Sequence, residues 1–112
     1  MTLQELITRL NLAVLTTPND FTTIKPNGGY TSDLLSCVMV GAQPGNLWIT
    51  LQAHINVVAV AALRDVSAVI ITENAQPESA VIEKANQQGV ILLSTADSSY
   101  QVAGKLWELG IR

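Results

Sequence analysis

The 112-residue sequence contains only one cysteine and one histidine, which limits the chemistry it can support. Cys37 cannot form a disulfide within the chain, and one thiol cannot hold an iron–sulfur cluster, which normally takes four cysteine ligands. His54 has no histidine or cysteine nearby in the sequence, so a structural zinc site is excluded. We therefore predict no metal site and no cofactor.

Charged side chains are also scarce, at 13% of the residues, and the net charge is −3. Lys and Arg are scattered and form no basic stripe, so neither nucleic acid nor an anionic membrane surface is an expected partner. No apolar run approaches the roughly 18 residues of a membrane span. The N-terminal residues include Glu5 and Arg9 and do not resemble a signal peptide. We expect a cytoplasmic protein.

Apolar residues are plentiful, at 48%, and predict one domain that spans residues 1–112. In the second part of the chain, short apolar runs alternate with helical patterns. The predicted strands are 47–51, 68–72 and 90–93, and helices are predicted at 56–64, from 77 to 88 and at 98–109. This alternation predicts an α/β fold, a three-layer α/β/α domain with a mostly parallel sheet of four to five strands.

The first part of the chain has shorter signals. A capping box precedes a predicted helix at 3–10, and an apolar run at 12–15 predicts a strand. Residues 21–24 are a candidate second strand, ended by turn residues at 26–29. Ser32 then predicts the start of another helix.

A site is expected beyond the carboxyl ends of the parallel strands, where open α/β sheets bind their ligands. Polar residues collect at these predicted ends, and a pair of glycines precedes one predicted helix start. The candidate ligand-binding residues are Gly28, Gly29, Ser32, Asp33, Thr50, Gln52, His54, Asn56, Thr72 and Thr95.

Several of these residues also have a purely structural interpretation. Gly28 and Gly29 with Ser32 form either an anion cradle of backbone N–H groups or a turn joined to a helix cap. His54 is either a base or nucleotide contact, or a capping residue. Asp33 either orients a ligand or stabilises a helix N-terminus. No Ser–His–Asp or Cys–His set follows from the spacing, so we predict no catalytic residue.

Two segments, residues 28–36 (GGYTSDLLS) and 47–61 (LWITLQAHINVVAVA), resemble the DRTGG domain family. A weaker likeness continues at 93–95 and 102–110, and only the two glycines of the family's name-giving motif are present. The resemblance implies a fold similar to the N-terminal domain of HPr kinase. It also implies a non-catalytic, often dimeric accessory module of the kind attached to CBS domains in regulatory pyrophosphatases and in phosphotransacetylases. Stand-alone relatives occur near iron-only hydrogenase genes in anaerobic bacteria.

Three hypotheses for the function follow. The first is a homodimeric regulatory module that senses a small anionic metabolite such as an adenine nucleotide. Its motivation, besides the resemblance, is the surplus apolar surface at 34–39 and 57–63. The second is an accessory protein whose apolar face meets a hydrogenase-related partner. The third is a small phosphotransferase-like enzyme.

The helix at 56–64 is apolar all round, so we expect it to be covered on every side.

Overall fold

The computed structural model describes all residues from Met1 to Arg112. Helices and strands alternate along most of the chain. In chain order they are α1 (Leu3–Leu10), β1 (Ala13–Val14), a 3-10 turn (Phe21–Thr23), β2 (Gly28–Thr31), α2 (Leu35–Gly41), β3 (Asn46–Thr50), α3 (Ile55–Arg64), β4 (Ala68–Ile71), α4 (Ser79–Gln88), β5 (Leu92–Ser94) and α5 (Ser99–Glu108).

One sheet contains all five strands, in the order β1-β5-β4-β3-β2. Strands β2 to β5 are parallel neighbours, and β1 pairs with β5 in the antiparallel direction. All residues of β4 and β5 are buried, as expected for strands that are covered on both faces. The predicted three-layer α/β/α class with a mostly parallel sheet is confirmed.

The two faces of the sheet form separate cores, because successive side chains of a strand point in opposite directions. Trp48 of β3 packs in one core with Val38 of α2 and Val57 of α3, and α4 completes that layer. Ile49 packs in the other core with Leu106 of α5, and α1 lies on the same side. Helix α4, which follows β4, therefore lies on one face of the sheet, and α5, which follows β5, lies on the other. The chain changes faces after β5.

The predicted strand at residues 21–24 is wrong. Residues Phe21–Thr23 form a 3-10 turn that is capped by Asp20, whose carboxylate accepts a hydrogen bond from the Thr22 N–H at 3.0 Å. Phe21 is buried in the core beside α1, which anchors the turn. A single buried aromatic side chain thus gave an apolar signal that is not part of the sheet.

The predicted turn at Gly28 and Gly29 is also wrong, because both residues begin β2. Gly28 pairs with Asn46 and Gly29 with Leu47 in the parallel ladder to β3. Gly28 is buried, and a Cβ atom there would lie 3.2 Å from the Asn46 Nδ2 atom. Here glycine permits close approach of neighbouring groups, not reversal of the chain.

Helix boundaries differ slightly from prediction, and one helix is less covered than expected. Helix α2 begins at Leu35, later than predicted, and the Ser32 Oγ atom accepts a hydrogen bond from the Leu34 N–H at 3.2 Å in the preceding turn. Helix α3 buries Val58 completely but leaves Leu63 71% exposed, so the expectation of cover on every side is wrong for the isolated chain. No helix has the length and apolar character that crossing a membrane requires.

Candidate functional site

The carboxyl ends of β2, β3, β4 and β5 lie side by side because these strands are parallel neighbours. The loops that follow them contain residues 32–34, 51–54, 72–78 and 95–98. We call this rim the carboxyl edge. It has two halves with different geometry, one after β2 and β3 and the other after β4 and β5.

In the first half, Asp33 ties the end of β2 to the end of β3. Its Oδ1 atom accepts hydrogen bonds from the Thr50 hydroxyl at 2.8 Å and from the Leu51 N–H at 2.9 Å. The Thr50 Oγ1 atom accepts in turn from the Gln52 N–H at 3.1 Å. Asp33, Thr50 and Gln52 are therefore brought together as predicted, and the bonds they make hold the two loops in place.

Ser32 lies in the same region and is fixed through its backbone. Its carbonyl oxygen accepts a hydrogen bond from the Trp48 indole Nε1–H at 2.9 Å, and its N–H donates to the Ile49 carbonyl at 3.2 Å. Trp48 is fully buried, so this bond satisfies the one polar atom of a core side chain. Trp48 thereby anchors the loop that carries Asp33.

His54 is the N-cap of α3. Its Nδ1 atom accepts a hydrogen bond from the Asn56 N–H at 3.1 Å, which satisfies one of the free donors at the start of the helix. The capping interpretation of His54 is therefore confirmed, and Asn56 lies in the first turn and is not the cap. A shallow cleft of about 370 Å³ runs from His54 toward Gln76 and Glu78 at the start of α4.

The second half is organised by a tight turn after β4. The Ala75 N–H donates to the Thr72 carbonyl at 3.1 Å across this turn, and the two central residues, Glu73 and Asn74, have φ values of 60° and 58°. Two successive residues other than glycine in the left-handed region are uncommon and cost conformational energy.

Two backbone hydrogen bonds join this turn to the loop after β5. The Glu73 N–H donates to the Asp97 carbonyl at 2.9 Å, and the Asn74 N–H donates to the Thr95 carbonyl at 3.0 Å. These bonds reach across the sheet edge and hold the strained turn in a fixed position.

Thr72 and Thr95 have local partners in the same half. Thr72 is fully buried, and its hydroxyl lies 2.7 Å from the hydroxyl of Ser99 at the start of α5. The Thr95 Oγ1 atom accepts a hydrogen bond from the Asp97 N–H at 3.1 Å. The Asp97 carboxylate pairs with the Lys105 ammonium group at 2.7 Å. This is the only side-chain ion pair of the structure, and it lies at the carboxyl edge.

A cleft of about 610 Å³ opens in this second half. The connections that leave β4 and β5 pass to opposite faces of the sheet, and such a change of side is where open α/β sheets form ligand crevices. Polar and apolar side chains both line the cleft, and most of the apolar ones come from the α1–β1 region. The polar lining residues are Asn11, Asn74, Gln76, Ser94, Thr95, Asp97 and Lys105.

Of the polar residues that line this cleft, only Thr95 is among the candidate ligand-binding residues predicted from the sequence; Asn11, Asn74, Gln76, Ser94, Asp97 and Lys105 are not. Asn11 ends α1 in the left-handed conformation, a position that asparagine tolerates well, and Asn74 does the same in the turn after β4. These local signals are readable in the sequence. Their convergence depends on β1 pairing with β5, a contact between distant parts of the chain that local patterns do not specify.

Gly28 and Gly29 lie away from the carboxyl edge, which corrects the expectation that they form an anion cradle with Ser32. They begin β2 beside the start of β3, so the length of the strand separates them from Asp33. The position of Gly29 adjoins a small cleft of about 130 Å³ against α5. Only the Ser32 and Asp33 part of this predicted segment lies at the carboxyl edge.

The acid, histidine and hydroxyl candidates do not form one catalytic group. Asp33 follows β2 and Thr95 follows β5, three strand spacings or about 14 Å across the sheet. No group of three or more His, Cys, Asp or Glu side chains is arranged to hold a metal ion. Cys37 is exposed on α2, away from the edge.

The chain is thus a three-layer α/β domain whose polar loops collect along one rim of a mostly parallel sheet. The sequence profile of the DRTGG domain family matches residues 37–109, well over half of the chain. The protein belongs to the DRTGG domain family. The match starts after the Gly28–Ser36 segment, so family membership depends on α2 through α5 and not on the glycines of β2.

A solved structure with a similar fold is the regulatory region of Clostridium perfringens pyrophosphatase, which contains CBS and DRTGG domains and is bound to its activator, diadenosine tetraphosphate. It superimposes with a TM-score of 0.76 at 15% sequence identity. The alignment covers 92% of this chain and 44% of that one, so this chain spans less than half of the pyrophosphatase region. No curated protein sequence matches the chain.

Proposed function

We propose that this domain is a non-catalytic regulatory module that senses a small anionic metabolite at its carboxyl edge, with adenine nucleotides as the first class to test. The observation that carries the proposal is the crevice at the carboxyl ends of β4 and β5, where the connections leave for opposite faces of the sheet. Membership of the DRTGG family and the likeness to a regulatory region that binds a dinucleotide activator support it.

The absence of an assembled catalytic group supports a sensing role over a phosphotransferase-like one. General acid–base chemistry needs its groups within hydrogen-bond reach of one substrate atom. Here Asp33 is held by Thr50 and Leu51, and His54 is occupied with its own helix, so both have structural partners.

Ligand binding is tested by thermal unfolding of the purified domain with AMP, ADP, ATP and diadenosine tetraphosphate, and with inorganic phosphate as a control. A ligand at a hundred times its Kd adds about 2.7 kcal/mol of stability, which raises Tm by about 10 °C for a domain of this size. We expect at least one nucleotide to raise Tm and phosphate alone to have a smaller effect. No shift with any nucleotide at millimolar concentration would contradict the proposal.

We also propose that the domain functions as a homodimer through the exposed apolar side chains of α2 and α3, which we call the α2–α3 surface. It consists of Met39 and Val40 of α2, Leu63 of α3 and Leu34 at the N-cap of α2, of which Val40 is 83% exposed. The two helices lie in the same layer, and the Arg64 guanidinium holds them together by donating to the Ala42 carbonyl at 2.7 and 3.1 Å. Apolar side chains left exposed on neighbouring helices are candidates for an interface, because large apolar patches mark interaction sites.

Light scattering at micromolar concentration tests the dimer. We expect a dimer for the wild type and a monomer for the double variant Val40→Asp, Leu63→Asp. Tyr100→Asp is the matched control, because Tyr100 is as exposed as Val40 but lies on α5, on the other face of the sheet. A wild-type monomer would contradict the dimer proposal, and capture of a hydrogenase-related protein by the same surface would favour the accessory role instead.

A further inference from the structure

The cleft at the carboxyl ends of β4 and β5 combines three chemically different kinds of lining, and together they define a type of ligand. Leu10, Ala13 and Leu15 form an apolar wall from the end of α1 and the β1 region. Side-chain amides and hydroxyls that follow β4 and β5 also line it, and Lys105 reaches it from α5. Its volume of about 610 Å³ falls within the range of about 300 to 1,000 Å³ that is typical for small-molecule sites.

The amide wall is formed by Asn74 and Gln76 in the loop after β4, and Asn11 adds a third amide from the end of α1, on the side of the apolar wall. Asn11 and Asn74 both have positive φ values, 52° and 58°, so the backbone fixes the places from which their side chains project. The Gln76 Nε2 atom lies 3.4 and 3.5 Å from the oxygens of Asn74, at the outer limit of hydrogen bonding. These amides are therefore available to a ligand that offers stronger partners.

The charged end of the cleft has one cation, Lys105, and one anion, Asp97, paired at 2.7 Å. Both side chains are partly exposed, at 50% and 32%, so solvent screens their attraction. A phosphate group carries more negative charge than a carboxylate and offers more acceptor oxygens. It can therefore compete with Asp97 for the ammonium group.

We propose that this cleft binds an adenine mononucleotide, with the base between the apolar and amide walls and the phosphate on Lys105. Asparagine and glutamine amides match the adjacent donor and acceptor of adenine, N6 and N7, in a bidentate arrangement. This proposal rests on the sensing function proposed above and places it in the β4–β5 half of the carboxyl edge. The Asp97 carboxylate repels the phosphate and competes with it for Lys105, so it lowers the affinity for the charged ligand.

The proposal is tested by calorimetry with AMP and with adenosine, which lacks the phosphate. We expect Lys105→Gln to weaken AMP binding about tenfold or more and to leave adenosine binding nearly unchanged. Asp97→Asn should strengthen AMP binding and leave adenosine unchanged. Lys84→Gln is the matched control, because Lys84 is an exposed lysine on α4 outside the cleft. This variant should bind AMP and adenosine as tightly as the wild type does.

The base side of the cleft is tested separately with Asn74→Asp, which keeps a residue that tolerates the left-handed backbone. This substitution should weaken the binding of both AMP and adenosine. GMP should bind the wild type less tightly than AMP does. Thermal unfolding without nucleotide shows that each variant is folded.

Two other results have distinct meanings. If AMP binds the wild type and all cleft variants equally, the site assignment is wrong and the sensing function stands. If no nucleotide binds the wild type at all, both proposals fail together.

Discussion

The Thr50 hydroxyl donates a hydrogen bond of 2.8 Å to the carboxylate of Asp33, and thereby connects the ends of two neighbouring strands. Thr50 is fully buried, so its hydroxyl has no access to water in place of this partner. A buried hydroxyl without an acceptor carries the full cost of its desolvation. Asp33 is therefore a structural residue of the carboxyl edge.

Substitution Asp33→Ala should lower the free energy of unfolding by about 1 to 3 kcal/mol, because it removes the acceptor of a buried hydroxyl and of the Leu51 N–H. Urea denaturation measures this change. Thr50→Val should also destabilise the domain, and the double variant should cost less than the sum of the two. Glu83→Gln, an exposed acid on α4, is the control. Unchanged stability of Asp33→Ala would show that Asp33 is free to serve a ligand.

The cap of α3 gives a second prediction. His54→Ala should destabilise the domain by about 1 kcal/mol, because the Asn56 N–H loses its acceptor at the helix start. His54→Ser should retain most of the stability, since serine is a strong N-cap residue. Denaturant unfolding of both variants, together with nucleotide binding, distinguishes a cap from a ligand contact. Loss of nucleotide binding in His54→Ser at full stability would be inconsistent with the cap alone.

Glycines within helices give a third prediction, because two of them have opposite surroundings. A Cβ atom at Gly104 of α5 would meet nothing within 4 Å, so Gly104→Ala should raise stability by about 0.5 to 1 kcal/mol through its higher helix propensity. A Cβ atom at Gly41 of α2 would lie 2.6 Å from the Tyr30 Cζ atom. Gly41→Ala should therefore lower stability by about 1 to 3 kcal/mol.

Thermal unfolding of the two variants provides the comparison. Tm should rise for Gly104→Ala and fall for Gly41→Ala by several degrees. Equal shifts in the same direction would mean that the packing of Tyr30 against α2 is looser than the structure indicates.

The sequence predicts the second part of this fold well because its signals there are local and agree with one another. Short apolar strands alternate with helices, and Ser98 and Gly89 mark helix ends by capping chemistry that needs no distant partner. The N-terminal part is harder. Phe21 gives an apolar signal but lies outside any strand. Gly28 gives a turn signal but lies within β2, where the close approach of Asn46 favours a residue without a Cβ atom.

The candidate site is predictable only in part for the same reason. Thr50, Thr72 and Thr95 follow strands, so their common edge can be inferred from the parallel sheet alone. Which strands have connections on opposite faces cannot be inferred, because that depends on α5 packing beside α1. The crevice next to Asn74 forms because the connections after β4 and β5 lie on opposite faces, and no spacing in the sequence predicts that arrangement.

The 3-10 turn after β1 gives a pH-dependent prediction. Hydrogen bonds from the hydroxyl and then from the backbone N–H of Thr22 hold the pKa of the Asp20 carboxyl below its usual value. Because folding lowers this pKa, the ionised carboxylate stabilises the folded state above the unfolded pKa, and this contribution is lost as the pH falls through the folded pKa. An NMR titration should therefore give an Asp20 midpoint below that of a model peptide. The difference in stability between the wild type and Asp20→Asn should shrink over the same acidic range, and a difference that does not change with pH would show that the Thr22 hydrogen bonds do not depend on the charge.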